Sequence, residues 1–295
     1  MSQAMKAETR PALSAARAID ILDFLASFPD RGFTLSQIMR ATGINVASCH
    51  AVLHALMARG YVRRDPGQKS FTLGPVLAAL GDAAMRAQPL LAHAQRAAQA
   101  LALACDVPVL LTAAVGDEIV GLVAIADSQG RAPGLRCGER RGLVPPIGAP
   151  FLAWATSEAI AEWLARSPHA GDPGFAATMT RAMELIRERG FQVTLRAPGR
   201  VRLALDIDEM ARKPFRATLA GKVGSLAPVA APTHIDPEAD YDVVLIAAPI
   251  FDRDGNCAFS LCLGDFTTPI TGAQVIASGE KLLAACLQAM QADRS

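Results

Sequence analysis

No run of about 18 uncharged apolar residues, the length a helix needs to cross a bilayer, occurs in this sequence, although 51% of its 295 residues are hydrophobic. The first twenty residues carry charges throughout and hold no apolar signal core, so a soluble, cytoplasmic protein with no membrane partner is expected. Cys-x-x-Cys is also lacking: Cys49, Cys105, Cys137, Cys257, Cys262 and Cys286 are scattered, a pattern of reduced thiols. Gly-x-Ser-x-Gly, the P-loop and Gly-x-Gly-x-x-Gly are all missing. Nothing therefore supports a hydrolase or a nucleotide-dependent enzyme, and no cofactor is expected.

Histidine is scarce, with five in all. His50-Ala-Val-Leu-His54 has the spacing of a zinc helix, but Ala51 stands where a metalloprotease carries its general-base Glu. His93, His169 and His234 are isolated and read as surface or core residues, so no metal site is expected.

Net charge is only +1, yet residues 1 to 74 hold nine Lys or Arg against five Asp or Glu, and the remainder 20 against 23. A small basic front and a larger, slightly acidic rear suit a nucleic-acid reader joined to a part that does not touch nucleic acid. The length exceeds the roughly 100 to 200 residues of one domain, so two are expected.

The organising stretch is Thr34 to Leu73. Thr34-Leu-Ser36-Gln37 is a capping box, in which Thr and Gln satisfy helix-start N–H groups reciprocally. Gly43 suits the left-handed end of that helix, and Asn45 caps a second helix two residues later. On this second helix Val46, Cys49, Val52, Leu53, Leu56 and Met57 share one arc, while Ala47, His50, Ala51, His54 and Ala58 share the other. One arc packs and the other is free to meet a partner. Cys49 near the helix start admits a redox-sensor reading, but its place on the packing arc favours a core role.

Gly60 stops the helix. Tyr61 to Arg64, the turn Asp65-Pro-Gly67 and Lys69 to Leu73 then form a hairpin wing, whose Arg63, Arg64, Gln68 and Lys69 suit phosphate contacts beside a helix in the major groove. An ordinary helical subdomain with a charged hairpin is the bland alternative.

Met1 to Leu13 reads as a polar arm, and Ser14 as the cap of a helix through Phe28 with Ala18, Ile21, Leu22 and Leu25 as its buried stripe. Residues 14–75 thus make the DNA-reading domain. Residues 76–104 are a helical connector interrupted at Pro89, able to transmit a change from the rear, and residues 105–295 are an α+β domain with an antiparallel sheet.

In that rear part, Val107 to Val115 and Ile119 to Ala126 form a hairpin, and Leu135 to Cys137 a short strand. A Gly/Pro loop over residues 142–149 feeds a helical Phe151 to Ala155. Ser157 caps a helix through Ala165, residues 167–174 are a loop, and Ala177 to Arg189 is a helix ended by Gly190. Phe191 to Leu195 and Val201 to Leu205 read as strands. Tyr241 to Phe251 and Ala258 to Leu263 make the clearest hairpin, and Gly272 to Met290 the last helix. Asp206, Asp208 and Glu209 read as a solvated turn, and Arg136, Arg140 and Arg141 as a solvated charge run that could instead greet an anion.

Ser14-Ala-Ala-Arg17-Ala-Ile-Asp-Ile-Leu22, Leu35-Ser-Gln-Ile38, Thr42-Gly-Ile44, Ser48-x-His50, Leu56-x-x-Arg59-Gly-Tyr61-Val and Phe71-Thr-Leu-Gly74 together resemble the DNA-binding half of the IclR family of bacterial transcriptional regulators. Ile246-Ala-Ala-Pro-Ile-Phe-Asp252 with Gly255, and Arg187-Glu-Arg-Gly-Phe191, resemble that family's effector half. The resemblance implies a winged helix-turn-helix, a connecting helix and a GAF-like effector domain in a homodimer or homotetramer that binds double-stranded, palindromic operator DNA.

Carried over by position, it implies Asn45, Val46, Ala47, Ser48, His50, Ala51 and His54 on the recognition helix, with Thr34 and Ser36 at the helix before it, and Arg17 and the wing on the DNA backbone. The family commonly has an Arg where Ala51 stands and Lys or Ser near Val46 and Ala47, so operator sequence does not carry over. The implied effector site is Leu143, Val144, Pro146, Ile147, Gly148 and Ala149 with Leu245, Cys262 and Gly264. These are apolar or small where relatives carry polar groups, so the expected effector is an aromatic or other fairly apolar catabolic metabolite. A switch by protein partner or thiol oxidation, and an enzyme with autoregulatory DNA binding, remain as alternatives.

Overall fold

The computed structural model describes residues 12–196 and 232–294. Val201 to Leu205, the acidic turn at Asp206 to Glu209 and most of the arm lie outside the described residues. The chain divides into two units, residues 12–81 and residues 82–196 with 232–294, and the division falls inside one helix.

In the first unit, α1 (Leu13–Ala26) buries Ile21, Phe24 and Leu25. Ser14 is not its cap. The cap is two residues earlier, at Ala12, with no side-chain bond; Ala12 and Leu13 are exposed, so water can serve the first N–H groups. Rings of Phe24, Phe28 and Phe33 stack at tilted angles, with Phe24 and Phe33 centroids 4.6 Å apart. β1 (Phe33–Thr34), which no sequence pattern marks, pairs with the wing.

The capping box then opens α2 (Leu35–Thr42): the Thr34 N–H donates to Gln37 Oε1 at 2.8 Å and the Gln37 N–H to Thr34 Oγ1 at 3.4 Å. Gly43, at φ +71°, closes it, in the left-handed region that costs glycine least. Asn45 caps α3 (Val46–Ala58), which buries Cys49, Leu53 and Leu56. Val46, the first residue of α3, departs from the packing arc and is 56% exposed. β2 (Val62–Asp65) and β3 (Ser70–Leu73) form the antiparallel wing in a sheet of order β1-β3-β2.

α4 (Val76–Ala87) buries no residue, whereas α5 (Pro89–Cys105) buries Leu91, Ala94, Ala97, Ala98, Leu101 and Ala102 in the core of the second unit. That unit is built on an antiparallel six-stranded sheet of β4 (Val109–Val115), β5 (Glu118–Ile125), β6 (Arg140–Gly142), β7 (Gln192–Leu195), β9 (Val243–Phe251) and β10 (Cys257–Gly264). Their spatial order is β6-β5-β4-β10-β9-β7. β8 (Asp240–Tyr241) pairs separately with β11 (Ile270–Thr271).

Alternation along the central strands splits the sheet into two faces. Val109, Leu111, Ile246, Ala248, Ile250, Phe259, Leu261 and Leu263 pack on α5 and on α9 (Gly272–Arg294). Leu110, Ala247 and Cys262 face a second core with α6 (Ala149–Leu152), α7 (Ser157–Ala165) and α8 (Pro173–Arg189).

Three local expectations change here. Thr156 rather than Ser157 caps α7: it is extended, and its Oγ1 accepts from the Ala159 N–H three residues on, at 3.3 Å. α8 begins at Pro173, because Asp172 accepts from the Gly174 N–H at 2.9 Å and proline needs no donor in the first turn. Leu135 to Cys137 is not a strand. Gly121 exchanges bonds with Gly138 and Glu139 instead, and the pairing resumes as β6 at Arg140. Among the described residues no single helix is long and apolar enough to cross a membrane.

Candidate DNA-binding surface and effector cavity

Asn45, Val46, Ala47, His50, Ala51 and His54 are all exposed on α3, a face of two imidazoles and small side chains open to a partner. Ser48 lies at a junction on its first turn. Its N–H donates to Asn45 Oδ1 at 3.0 Å, and its Oγ accepts from Arg17 Nη1 at 2.9 Å. Arg17 on α1 is thus held against the recognition helix. Thr34 serves the capping box, and its Oγ1 sits 3.1 Å from Ser36 Oγ.

In the wing, Arg63, Arg64, Gln68 and Lys69 are exposed. Asp65 Oδ1 accepts from the N–H groups of Gly67 and Gln68 at 2.8 and 3.0 Å, which ties the tip, and Lys69 takes φ +51°. The Arg64 guanidinium lies 5.8 Å from the Phe71 ring centre. No motif singles out two further cations of this unit: Arg31, stacked 4.4 Å over Phe33, and Arg40, whose Nε donates to Ser36 O at 3.3 Å. Arg40 could have been found as the basic residue off the buried Ile38–Ala41 face of α2.

The second unit holds a cavity of about 250 Å³. Pro146, Ile147, Gly148, Leu245, Cys262 and Gly264 line it, whereas Leu143, Val144 and Ala149 do not. Leu143 and Ala149 instead pack in the core with α6, α7 and α8. The loop at the cavity is anchored from behind, where Trp163 Nε1 donates to Ile147 O at 3.2 Å and Arg166 Nη1 to Leu143 O at 3.3 Å. Gly148, at φ +90°, has no room for a side chain, since a Cβ there would meet Leu143 Cδ1 at 2.1 Å.

The wall is less apolar than the mapped residues suggest, because Thr112, Arg141, Gln192, Thr194, Ser260 and Asp265 also line it. Strand alternation is the signal for most of them: Thr112 follows Leu110 by two residues, and Ser260 precedes Cys262 by two. Several of these polar groups bond one another. Thr112 Oγ1 donates to Ser260 O at 3.3 Å, and Gln192 Nε2 to Thr194 Oγ1 at 3.2 Å. Burial pushes the Cys262 thiol up to about 12, so it lines the wall as a neutral, weakly polar group.

The arginine run is not a solvated patch. Arg136 is exposed, Arg140 pairs with Glu118 at 3.2 Å, and Arg141 pairs with Glu139 at 3.3 Å. Cross-strand pairing of Arg141 with Ile119 turns Arg141 alone of the three into the cavity.

Residues 14–66 match the model of the IclR helix-turn-helix domain. The whole chain is similar to the IclR transcriptional regulator of Alicyclobacillus acidocaldarius, at 20% identity and TM-score 0.71 over 96% of this chain and 99% of that one. It is also similar to the Thermotoga maritima IclR (17%, TM-score 0.56, covering 94% and 97%). A third similar structure is an IclR homolog of Microbacterium hydrocarbonoxydans complexed with 4-hydroxybenzoate (17%, TM-score 0.61, covering 95% and 99%). No curated protein matches the chain in sequence. Residues 14–66 are thus an IclR helix-turn-helix domain, and the chain along its length has the fold of solved IclR transcriptional regulators.

Proposed function

We propose that this regulator's affinity for a palindromic double-stranded operator is controlled by a small organic effector, an aromatic or other fairly apolar metabolite, held in the cavity. The observation that carries this reading is that every described residue lining the cavity belongs to the second unit and none to the winged helix-turn-helix. An apolar cavity of about 150 Å³ is enough for benzene, and the one here, about 250 Å³, has space for a substituted ring. The 4-hydroxybenzoate bound by the Microbacterium homolog is a ligand of that kind.

A homodimer, alone or paired into a tetramer, presents two α3 helices to successive major grooves about 34 to 36 Å apart. Effector binding then works through the spacing or orientation of those helices, and a coupling of about 1 to 3 kcal/mol changes operator affinity roughly 5- to 150-fold. Thiol switching at Cys49 loses support: the residue is fully buried, and burial raises its thiol pKa, which suppresses the reactive thiolate.

The test is an anisotropy titration against the chain's own upstream intergenic DNA at two salt concentrations, with and without a panel of aromatic and aliphatic compounds. Tight, salt-sensitive binding that one compound shifts is the expected result. Specific binding that no compound shifts would overturn the effector reading while leaving the DNA reading intact.

A further inference from the structure

We infer that Arg141 is the specificity-determining residue of the cavity and that the effector is a monocarboxylate with an apolar, ring-sized body. This rests on the effector reading above and deepens it.

The side chain of Arg141 stands on β6, is only 17% exposed, and lines the cavity. Its Nη2 donates to Gly134 O and to Glu139 Oε1. Among the described residues its Nε and Nη1 make no hydrogen bond, and a guanidinium presents five N–H donors in a flat fork matched to a carboxylate. Glu139, 3% exposed in its side chain, also accepts from the Arg136 N–H at 3.0 Å, so it is fixed by the turn and orients the guanidinium.

A buried acid without a partner is strongly disfavoured, and among the described residues Arg141 is the one cationic side chain on this wall. Other polar side chains of the wall are already engaged: Thr112 Oγ1 donates to the Ser260 backbone oxygen, Ser260 Oγ lies 3.7 Å from Cys262 Sγ, and Gln192 Nε2 donates to Thr194 Oγ1. Leu110, Ile119, Pro146, Ile147, Phe151 and Leu245 supply apolar surface for the body of the ligand. A second acid group on the ligand finds no other cation among the described lining residues, whereas a single acid meets Arg141 and leaves an uncharged remainder for the apolar wall.

The experiment is calorimetry on the full chain with 4-hydroxybenzoate, its neutral amide 4-hydroxybenzamide, and the diacid terephthalate, using wild type, Arg141→Met and Arg141→Lys. Wild type should bind the monoacid at least about tenfold more tightly than the amide or the diacid, the range of one charge-assisted hydrogen bond. Arg141→Met should lose that preference while still binding the amide, which also reports that the variant is folded; Arg141→Lys, keeping charge without the fork, should fall between. Equal binding of acid and amide by wild type, or an acid preference that survives in Arg141→Met, overturns the role of Arg141 and leaves the effector reading standing. Diacid binding as tight as the monoacid overturns the monocarboxylate assignment, and no binding of any of the three by wild type overturns the ring-sized monocarboxylate and the role of Arg141 while the effector reading stays with the panel titration.

Discussion

Replacing Ser48 by Ala removes the hydroxyl that accepts from Arg17 Nη1 at 2.9 Å. A hydrogen bond with one charged partner is worth about 1.5 to 3 kcal/mol. Both side chains are half-buried, so the released guanidinium reaches water, and a loss of about 1 to 1.5 kcal/mol of domain stability is expected. Asn45 still caps α3 through the Ser48 N–H, so the helix itself persists. The consequence for DNA depends on what Arg17 does. A cation that neutralises a phosphate contributes roughly 0.9 to the slope of log affinity against log salt, whereas a cation that holds the recognition helix in place contributes affinity but no slope.

Arg17→Met and Ser48→Ala should therefore weaken specific binding to a similar degree, with salt dependences parallel to wild type, and the double variant should be no worse than the weaker single. Arg63→Met in the exposed wing should flatten the dependence by about 0.9. Anisotropy at four or five salt concentrations measures all of these. If Arg17→Met flattens the slope as much as Arg63→Met while Ser48→Ala binds like wild type, Arg17 is a phosphate contact and the positioning argument fails.

Gly148→Ala should destabilise the second unit by about 2 to 5 kcal/mol, combining left-handed backbone strain with overpacking against Leu143; a urea midpoint within error of wild type contradicts it. Asn45→Ala should cost the first unit about 1 kcal/mol by removing its bond to the Ser48 N–H, read from thermal unfolding, with Asn45→Asp close to neutral. Burial pushes the Cys257 and Cys262 thiols from 9.0 up to about 12. The folded chain keeps protons that the unfolded chain releases, so their contribution is complete below pH 9.0 and is lost as pH rises from there through about 12. Denaturant unfolding at pH 8 and pH 10.5 should show that loss, and Cys262→Ala should reduce it; a loss unchanged in Cys262→Ala removes Cys262 as a cause.

Wherever the signal is local, the sequence determined the outcome by itself. Thr34 with Gln37, Gly43 and Asn45 define three helix termini through bonds spanning three or four residues, and Asp252 to Asn256 closes the β9–β10 hairpin on Asp252 Oδ1. The motifs between Ser14 and Gly74 likewise mark the IclR helix-turn-helix domain without reference to the fold. Caps were misplaced at Ser14, where α1 starts after Ala12 without a side-chain bond, and at Thr156 and Ser157, adjacent candidates between which the choice depends on which residue is extended.

What only the tertiary structure decided depends on residues far apart in the chain. Arg17 meets Ser48 across 31 residues, a contact without periodicity. β1 is two residues long and exists because β3 offers Phe71 and Ser70 as partners. Arg140 and Arg141 are neighbours of identical chemistry, yet pairing of β6 with β5 sends Arg141 to the cavity and Arg140 to Glu118. The polar character of the cavity arises because strand order brings Thr112, Ser260, Gln192 and Thr194 onto one face, and strand order is a non-local property that no single stretch of sequence encodes.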